Sequence, residues 1–83
     1  MADEELLRRI VVNPKVMVGK PVINGTRLSV DYILNRLGHG ATVEDLLREY
    51  PGLERMDIQA CQLFASRSMA STTFLPFQYQ PVS

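Results

Sequence analysis

Gly19-Lys20-Pro21-Val22-Ile23-Asn24-Gly25-Thr26-Arg27-Leu28-Ser29-Val30 reads as a chain reversal followed directly by a helix start. Its Asn24-Gly25 pair lies between two short apolar runs. A two-residue hairpin loop of type I′ needs positive φ at both central residues, and this pair tolerates that best. The spacing therefore predicts that Val22-Ile23 and Thr26–Leu28 face each other as short strands. Pro21 belongs at a strand start, because it has no N–H to give to a ladder. Ser29 then caps a helix with Asp31 in its first turn, where a carboxylate suits the helix dipole.

Downstream, Val30, Ile33, Leu34 and Leu37 fall at i, i+3, i+4 and i+7 and predict a helix from Val30 to about Leu37. Gly38 or Gly40 ends it in the left-handed conformation, with His39 at the negative end of the dipole. Thr42 and Asp45 are spaced as a variant capping box, and Val43, Leu46, Leu47 and Tyr50 repeat the apolar stripe. Glu44 and Arg48 are placed to pair at i, i+4 on the wet side. Pro51-Gly52 stops this second helix. Two helices of this length cannot cover each other's stripes alone. A third, from about Glu54 to about Ser68, is expected to supply Ile58, Cys61, Ala65 and Met69 to the core, with Phe64 beside them.

Upstream, Glu4 to Arg9 reads as a frayed helical turn and Ile10–Val12 as a short strand closed by Asn13-Pro14. Val16-Met17-Val18 is a second apolar run, ended by Gly19. The expected fold is mainly α: a trihelical helix-turn-helix with an N-terminal β-hairpin over residues 1–70, then an extended C-terminal arm over 71–83.

Composition narrows the function. Eighty-three residues make one domain at most. A chain of this size buries about two-thirds or less of its unfolded surface, so a homodimer or another partner would help it. The 46% hydrophobic content argues against a wholly disordered chain. A single cysteine excludes an internal disulfide and suits a reducing compartment. The acidic opening Met1–Glu5 does not resemble a signal peptide, and no run is long enough to span a membrane, so a cytoplasmic location is expected. Asn24-Gly25-Thr26 matches a glycosylation sequon, which has no use without secretion. Nine basic and nine acidic residues give zero net charge. That speaks against nucleic-acid binding by bulk charge, although a local patch is what meets phosphates.

One constellation has recognition chemistry. On the third helix Arg55, Gln59, Gln62 and Ser66 fall at i, i+4, i+7 and i+11, a polar row without an acid. Arg can hold guanine O6 and N7 together, and Gln can hold adenine N6 and N7. With the second helix and the short Pro-Gly-Leu turn, the row makes a reading face of helix-turn-helix type for double-stranded DNA. Arg48 and Arg27 flank it as phosphate contacts. The same row equally describes an ordinary solvated helix face.

Gly19-Lys20-Pro21-Val22-Ile23, Gly25-Thr26-Arg27, Val30, Gly40, Glu44-Asp45-Leu46-Leu47, Tyr50-Pro51, Leu53 and Asp57-Ile58 together resemble a small prokaryotic family. It is the domain of unknown function number 433, and the likeness runs from about Arg9 to about Ala65. The resemblance implies a homeodomain-like trihelical fold with a hairpin in front. It also implies an antitoxin that partners a PIN-like ribonuclease toxin.

From Ser71 the pattern changes. Ser71-Thr72-Thr73 is weak in helix propensity, and Pro76 and Pro81 exclude a regular helix. Yet Phe74, Phe77 and Tyr79 are half of all the aromatics. Leu75, Phe77 and Tyr79 alternate with polar or proline residues, as in an extended segment docked on one side. Phe74, Leu75, Phe77 and Tyr79 are therefore candidate partner-binding residues, or else a cover for the chain's own core. The family continues here with more helix, so the arm departs from it.

Catalysis has no signature. Gly19-Lys20 lacks the rest of a phosphate loop. One histidine and one cysteine expected in the core form no nucleophile-base pair and no metal site, and no cofactor is implied. Asp31, Glu44, Asp45, Glu49 and Asp57 are explained by helix first turns or wet faces. The sequence thus leads to a DNA-binding antitoxin, with a protein-interaction module that never touches DNA as the alternative.

Overall fold

Helix caps and apolar stripes divide the chain into six elements: α1 (Asp3–Leu7), β1 (Ile10–Val12), β2 (Pro21–Ile23), α2 (Val30–Gly38), α3 (Val43–Glu49) and α4 (Arg55–Ala70). The computed structural model describes residues 2–15 and 19–70. The run Val16–Val18 and the arm from Ser71 onward lie outside the described residues.

The caps form as their chemistry requires. Ser29 Oγ accepts the Tyr32 N–H at 3.2 Å and starts α2. At its far end Gly40 has φ +98°, the Gly40 N–H reaches Leu37 O at 3.0 Å, and the Ala41 N–H reaches Arg36 O at 3.0 Å. These paired bonds close the last carbonyls of the helix around a left-handed residue. His39 caps the end with Nδ1 2.8 Å from Asn35 O. The capping box of α3 is complete: Thr42 N–H donates to Asp45 Oδ2 at 2.9 Å and Asp45 N–H to Thr42 Oγ1 at 3.0 Å.

The hairpin differs from the expected one. β2 pairs antiparallel with β1, with Ile10 opposite Ile23, Val11 opposite Val22 and Val12 opposite Pro21. On its other side β2 has only a bridge from Val22 to Ser29 and one bond from Ile23 N–H to Leu28 O at 2.9 Å. Asn24–Arg27 is thus a four-residue loop and Thr26–Leu28 is not a strand. The cause is Thr26. Its hydroxyl donates to Ile23 O at 2.8 Å and accepts from Leu28 N–H at 3.0 Å, taking the place of ladder bonds. The need for glycine survives: Thr26 N–H closes on Ile23 O at 3.0 Å with Gly25 at φ +79°.

α4 is the central element, packed on by α1, α2, α3 and β1. Its buried residues are Asp57, Ile58, Ala60 and Cys61, and the last three join Leu6, Ile10, Ile23, Val30, Ile33 and Leu46 in one core. Each fully buried large aliphatic in it contributes about 1.5–3 kcal/mol as an upper figure. Ala65 and Phe64 are half-buried, and Met69 is 56% exposed, so the expected core stripe stops short of the helix end. Pro21 of β2 and Val30 and Leu34 of α2 stand across an open groove from Met69 without closing over it. The structure is the expected trihelical helix-turn-helix, α2–α3–α4, with a two-stranded hairpin in front.

Candidate nucleic-acid interface

The turn between α3 and α4 is held by the Leu53 N–H on Tyr50 O at 3.0 Å. At the start of α4, Asp57 accepts the Glu54 N–H at 2.9 Å and Asp57 N–H donates to Glu54 O at 3.0 Å. Arg9 closes the arrangement from the start of the hairpin, donating from Nη1 to Asp57 Oδ1 at 3.0 Å and to Glu54 Oε1 at 3.1 Å. Those hydrogen bonds from Asp57 and Glu54 push the Arg9 pKa further up. This clasp fixes how α4 leaves the turn. Sequence reasoning missed it, because partners 45 and 48 residues apart leave no local pattern.

α3, the turn and α4 carry the polar row outward: Arg55, Gln59, Gln62 and Ser66 are all exposed. The row itself contains no acid, but its neighbour supplies one. Arg55 Nη2 donates to Glu44 Oε1 of α3 at 2.6 Å, and Arg48 Nη2 to Asp45 Oδ1 at 2.6 Å. The expected Glu44–Arg48 pair is therefore replaced by two others. Asp45 is held by its capping role within reach of Arg48 one turn on, which leaves Glu44 to face Arg55 across the helix pair. The Arg55 guanidinium holds Glu44 below its ordinary carboxylate range. Asp45 is lowered as well, first by the Thr42 backbone N–H and then by the Thr42 hydroxyl.

Arg27 lies outside this network. Six of the nine cations are ion-paired: Arg9, Lys20, Arg36, Arg48, Arg55 and Arg67. Among the described residues Arg8, Lys15 and Arg27 have no such partner. Three shallow cavities of about 350, 440 and 480 Å³ share Asn24 and Thr26 in their walls. The first also borders Arg8, Gly52 and Glu54, the second borders Arg27 and Asn13, and the third borders Tyr50–Leu53. The Asn24–Arg27 loop therefore stands against the turn that leads into α4, with unpaired Arg8 and Arg27 on its flanks. Arg8 and Arg9 both line the first cavity and the sequence reading selected neither, Arg9 being held in the clasp.

Two further groups matter for what the site can do. Tyr32 and Tyr50 hydrogen-bond through their hydroxyls, and Arg36 grips Glu49 through two bonds of 2.6 and 2.9 Å, which ties α2 to α3. Burial pushes the Cys61 thiol up to about 12, so it stays protonated and is no thiolate nucleophile. Among the described residues no cluster of three metal-ligating side chains occurs. Phe74, Leu75, Phe77 and Tyr79 lie outside the described residues.

The fold and face define a small homeodomain-like helix-turn-helix domain with a leading hairpin. The profile of the family described as "Protein of unknown function (DUF433)" matches residues 10–65, and the chain belongs to that family. A 2.00 Å crystal structure of a DUF433 member protein from Anabaena variabilis ATCC 29413 is similar, with a TM-score of 0.73 and 28% identity. The likeness covers 81% of this chain and 66% of that one, so this chain spans slightly less than two-thirds of that protein chain. An uncharacterized protein of Archaeoglobus fulgidus is 68% identical over 25 residues, which are 30% of this chain and 69% of that relative. No helix among the described residues is long and apolar enough to cross a membrane.

Proposed function

We propose that the chain is a DNA-binding antitoxin, a binding protein and not an enzyme. Its α4 enters the major groove of duplex DNA. The observation that carries this reading is the exposed row Arg55, Gln59, Gln62 and Ser66 on the second helix of a helix-turn-helix. Surface ion pairs such as Glu44–Arg55 are worth little in water, so phosphate or guanine can take the guanidinium from Glu44. Arg27 and Arg8, unpaired on the adjoining loop and hairpin, supply phosphate contacts at the edge of the face. A homodimer sets two such helices about 34 Å apart on a palindromic site. Neutralisation of a PIN-like ribonuclease toxin follows from the family resemblance, with the aromatic arm as its handle and the cytoplasm as its setting.

A second reading is favoured by one observation. Both cations of the α3–α4 face, Arg48 and Arg55, are already matched by carboxylates in a chain of zero net charge. A protein-interaction module without DNA binding would need no free cations there.

The test is titration of the protein onto its own promoter region at two salt concentrations. DNA binding predicts a steep loss with salt. Arg55→Ala and Gln59→Ala should each cost about 1–3 kcal/mol on the specific site and relax one base preference. Arg48→Ala and Arg27→Ala should weaken all sequences alike. Salt-independent or absent binding, with a ribonuclease still co-purifying from the neighbouring gene, gives the field to the interaction module.

A further inference from the structure

The C-terminal half of α4 borders a groove that the proposed function does not use. Its walls are Pro21, Val30, Leu34, Phe64 and Met69, almost wholly apolar, enclosing about 290 Å³. Lys20 and Asp31 form an ion pair of 3.2 Å at its rim. Met69 is 56% exposed on this face. An apolar groove of this kind at the end of a small domain costs solubility unless something occupies it.

We propose that the occupant is the chain's own arm, with Phe74 and Phe77 seated in the groove between α2 and α4. Its position, reach and tether select it. α4 ends at Ala70, directly beside the groove, and the groove's wall reaches back only to Phe64, about 9 Å along the helix axis. The four residues from Ala70 to Phe74 span up to about 13 Å, enough to turn back and reach it. So short a tether gives millimolar effective concentration, which a separate partner must overcome.

The arm also fits in shape. Pro76 favours a polyproline conformation, in which residues three apart share a face about 9 Å apart. Phe74 and Phe77 have that spacing, close to the distance along α4 from Phe64 to Ala70 at the groove. Tyr79 then carries a hydroxyl toward the polar rim of Lys20 and Asp31. A protein that grips the arm competes with the chain's own groove for it. The inference concerns the free chain and does not require the DNA or ribonuclease reading to hold.

The experiment uses the full chain. A nitroxide is attached through Gln78→Cys, and the buried Cys61 leaves that position as the labelled thiol. Methyl signals of Met69 and Leu34 should disappear through paramagnetic broadening and return when the nitroxide is reduced. Adding Phe74→Ser and Phe77→Ser should restore them with the label still oxidised. Signals that never broaden, or that stay broadened in the double substitution, overturn the proposal. So does equal broadening of isotope-labelled, nitroxide-free chains when spin-labelled ones are added, since a second copy then fills the groove.

Discussion

The two ends of α4 are built differently. At its start, Asp57, Ile58, Ala60 and Cys61 are buried and the charges of Arg9, Glu54 and Asp57 answer one another within 3.1 Å. At its finish, Arg67 is tied to Asp3 of α1 at 2.7 Å, but the apolar side carries an exposed Met69 over an open groove. The first end is closed by Arg9, 45 residues before Glu54 and 48 before Asp57 in the chain. The second leaves apolar surface that no described residue covers. The clasped end is fixed in direction by a buried carboxylate, whereas the ion pair at the open end is exposed on both sides.

This contrast breaks most easily in the core. Ile58→Ala should cost roughly 2–5 kcal/mol, as a buried aliphatic with no room to collapse does. Gln62→Ala, one turn further on but exposed, should stay within about 0.5 kcal/mol. Urea melts of both variants decide it; equal losses would mean that α4 is buried evenly along its length. Asp57→Ala ranks next, at about 1–3 kcal/mol, because it leaves the Glu54 N–H without its acceptor and Arg9 with a single acid. It should also weaken DNA binding at several bases together, by letting the start of α4 move, whereas Gln59→Ala affects one.

Much of this was legible in the chain and some was not, for a common reason. Ser29, Thr42 with Asp45, and Gly40 were readable because a cap is a contact between residues three or four apart. The stripes of α2 and α3 were readable for the same reason. Thr26 was not, since a hydroxyl that displaces a ladder bond leaves no periodic trace. Arg9 and Asp57 were each visible, but their meeting depends on how the hairpin lies on α4. Met69 continued a sound helical stripe into an open groove, where Pro21, Val30 and Leu34 stand across from it without closing over it. Periodicity shows which side of a helix is apolar; it does not show how closely the neighbours pack on it. At the reading face, the row was legible and the Glu44 that faces Arg55 was not.

Gly25→Val sharpens the comparison on the hairpin side. A Cβ there meets nothing within 4 Å, so no steric clash contributes and the backbone alone resists, at φ +79°. The expected loss for valine is about 1–3 kcal/mol, read by thermal melting, with Gly25→Ala smaller because alanine lacks the branched γ-methyls that crowd the backbone at positive φ. If neither substitution lowers the melting temperature, the loop does not depend on positive φ at this position.

The smallest effect expected is the response to acid, and it too should divide the molecule. Asp31 is lowered first by the Ser29 hydroxyl and then by Lys20, Glu44 by Arg55, Glu49 by Arg36, and Asp45 by the Thr42 cap. Each carboxyl is easier to ionise folded than unfolded. Its contribution is therefore complete above its ordinary value, 4.5 for the glutamates and 3.8 for the aspartates, and is lost as pH falls through the lower folded value. All four are on or beside α2 and α3; Asp31, Glu44 and Glu49 are exposed and Asp45 is half-buried, so solvent screens each contribution. Amide-exchange protection, taken relative to the intrinsic rate at each pH from 5 down to 3, should fall first at the starts of α2 and α3, while Ile58–Cys61 stays protected until the whole domain opens. Protection lost first at the core of α4 would mean that its clasp, and not the surface carboxylates, carries the acid sensitivity.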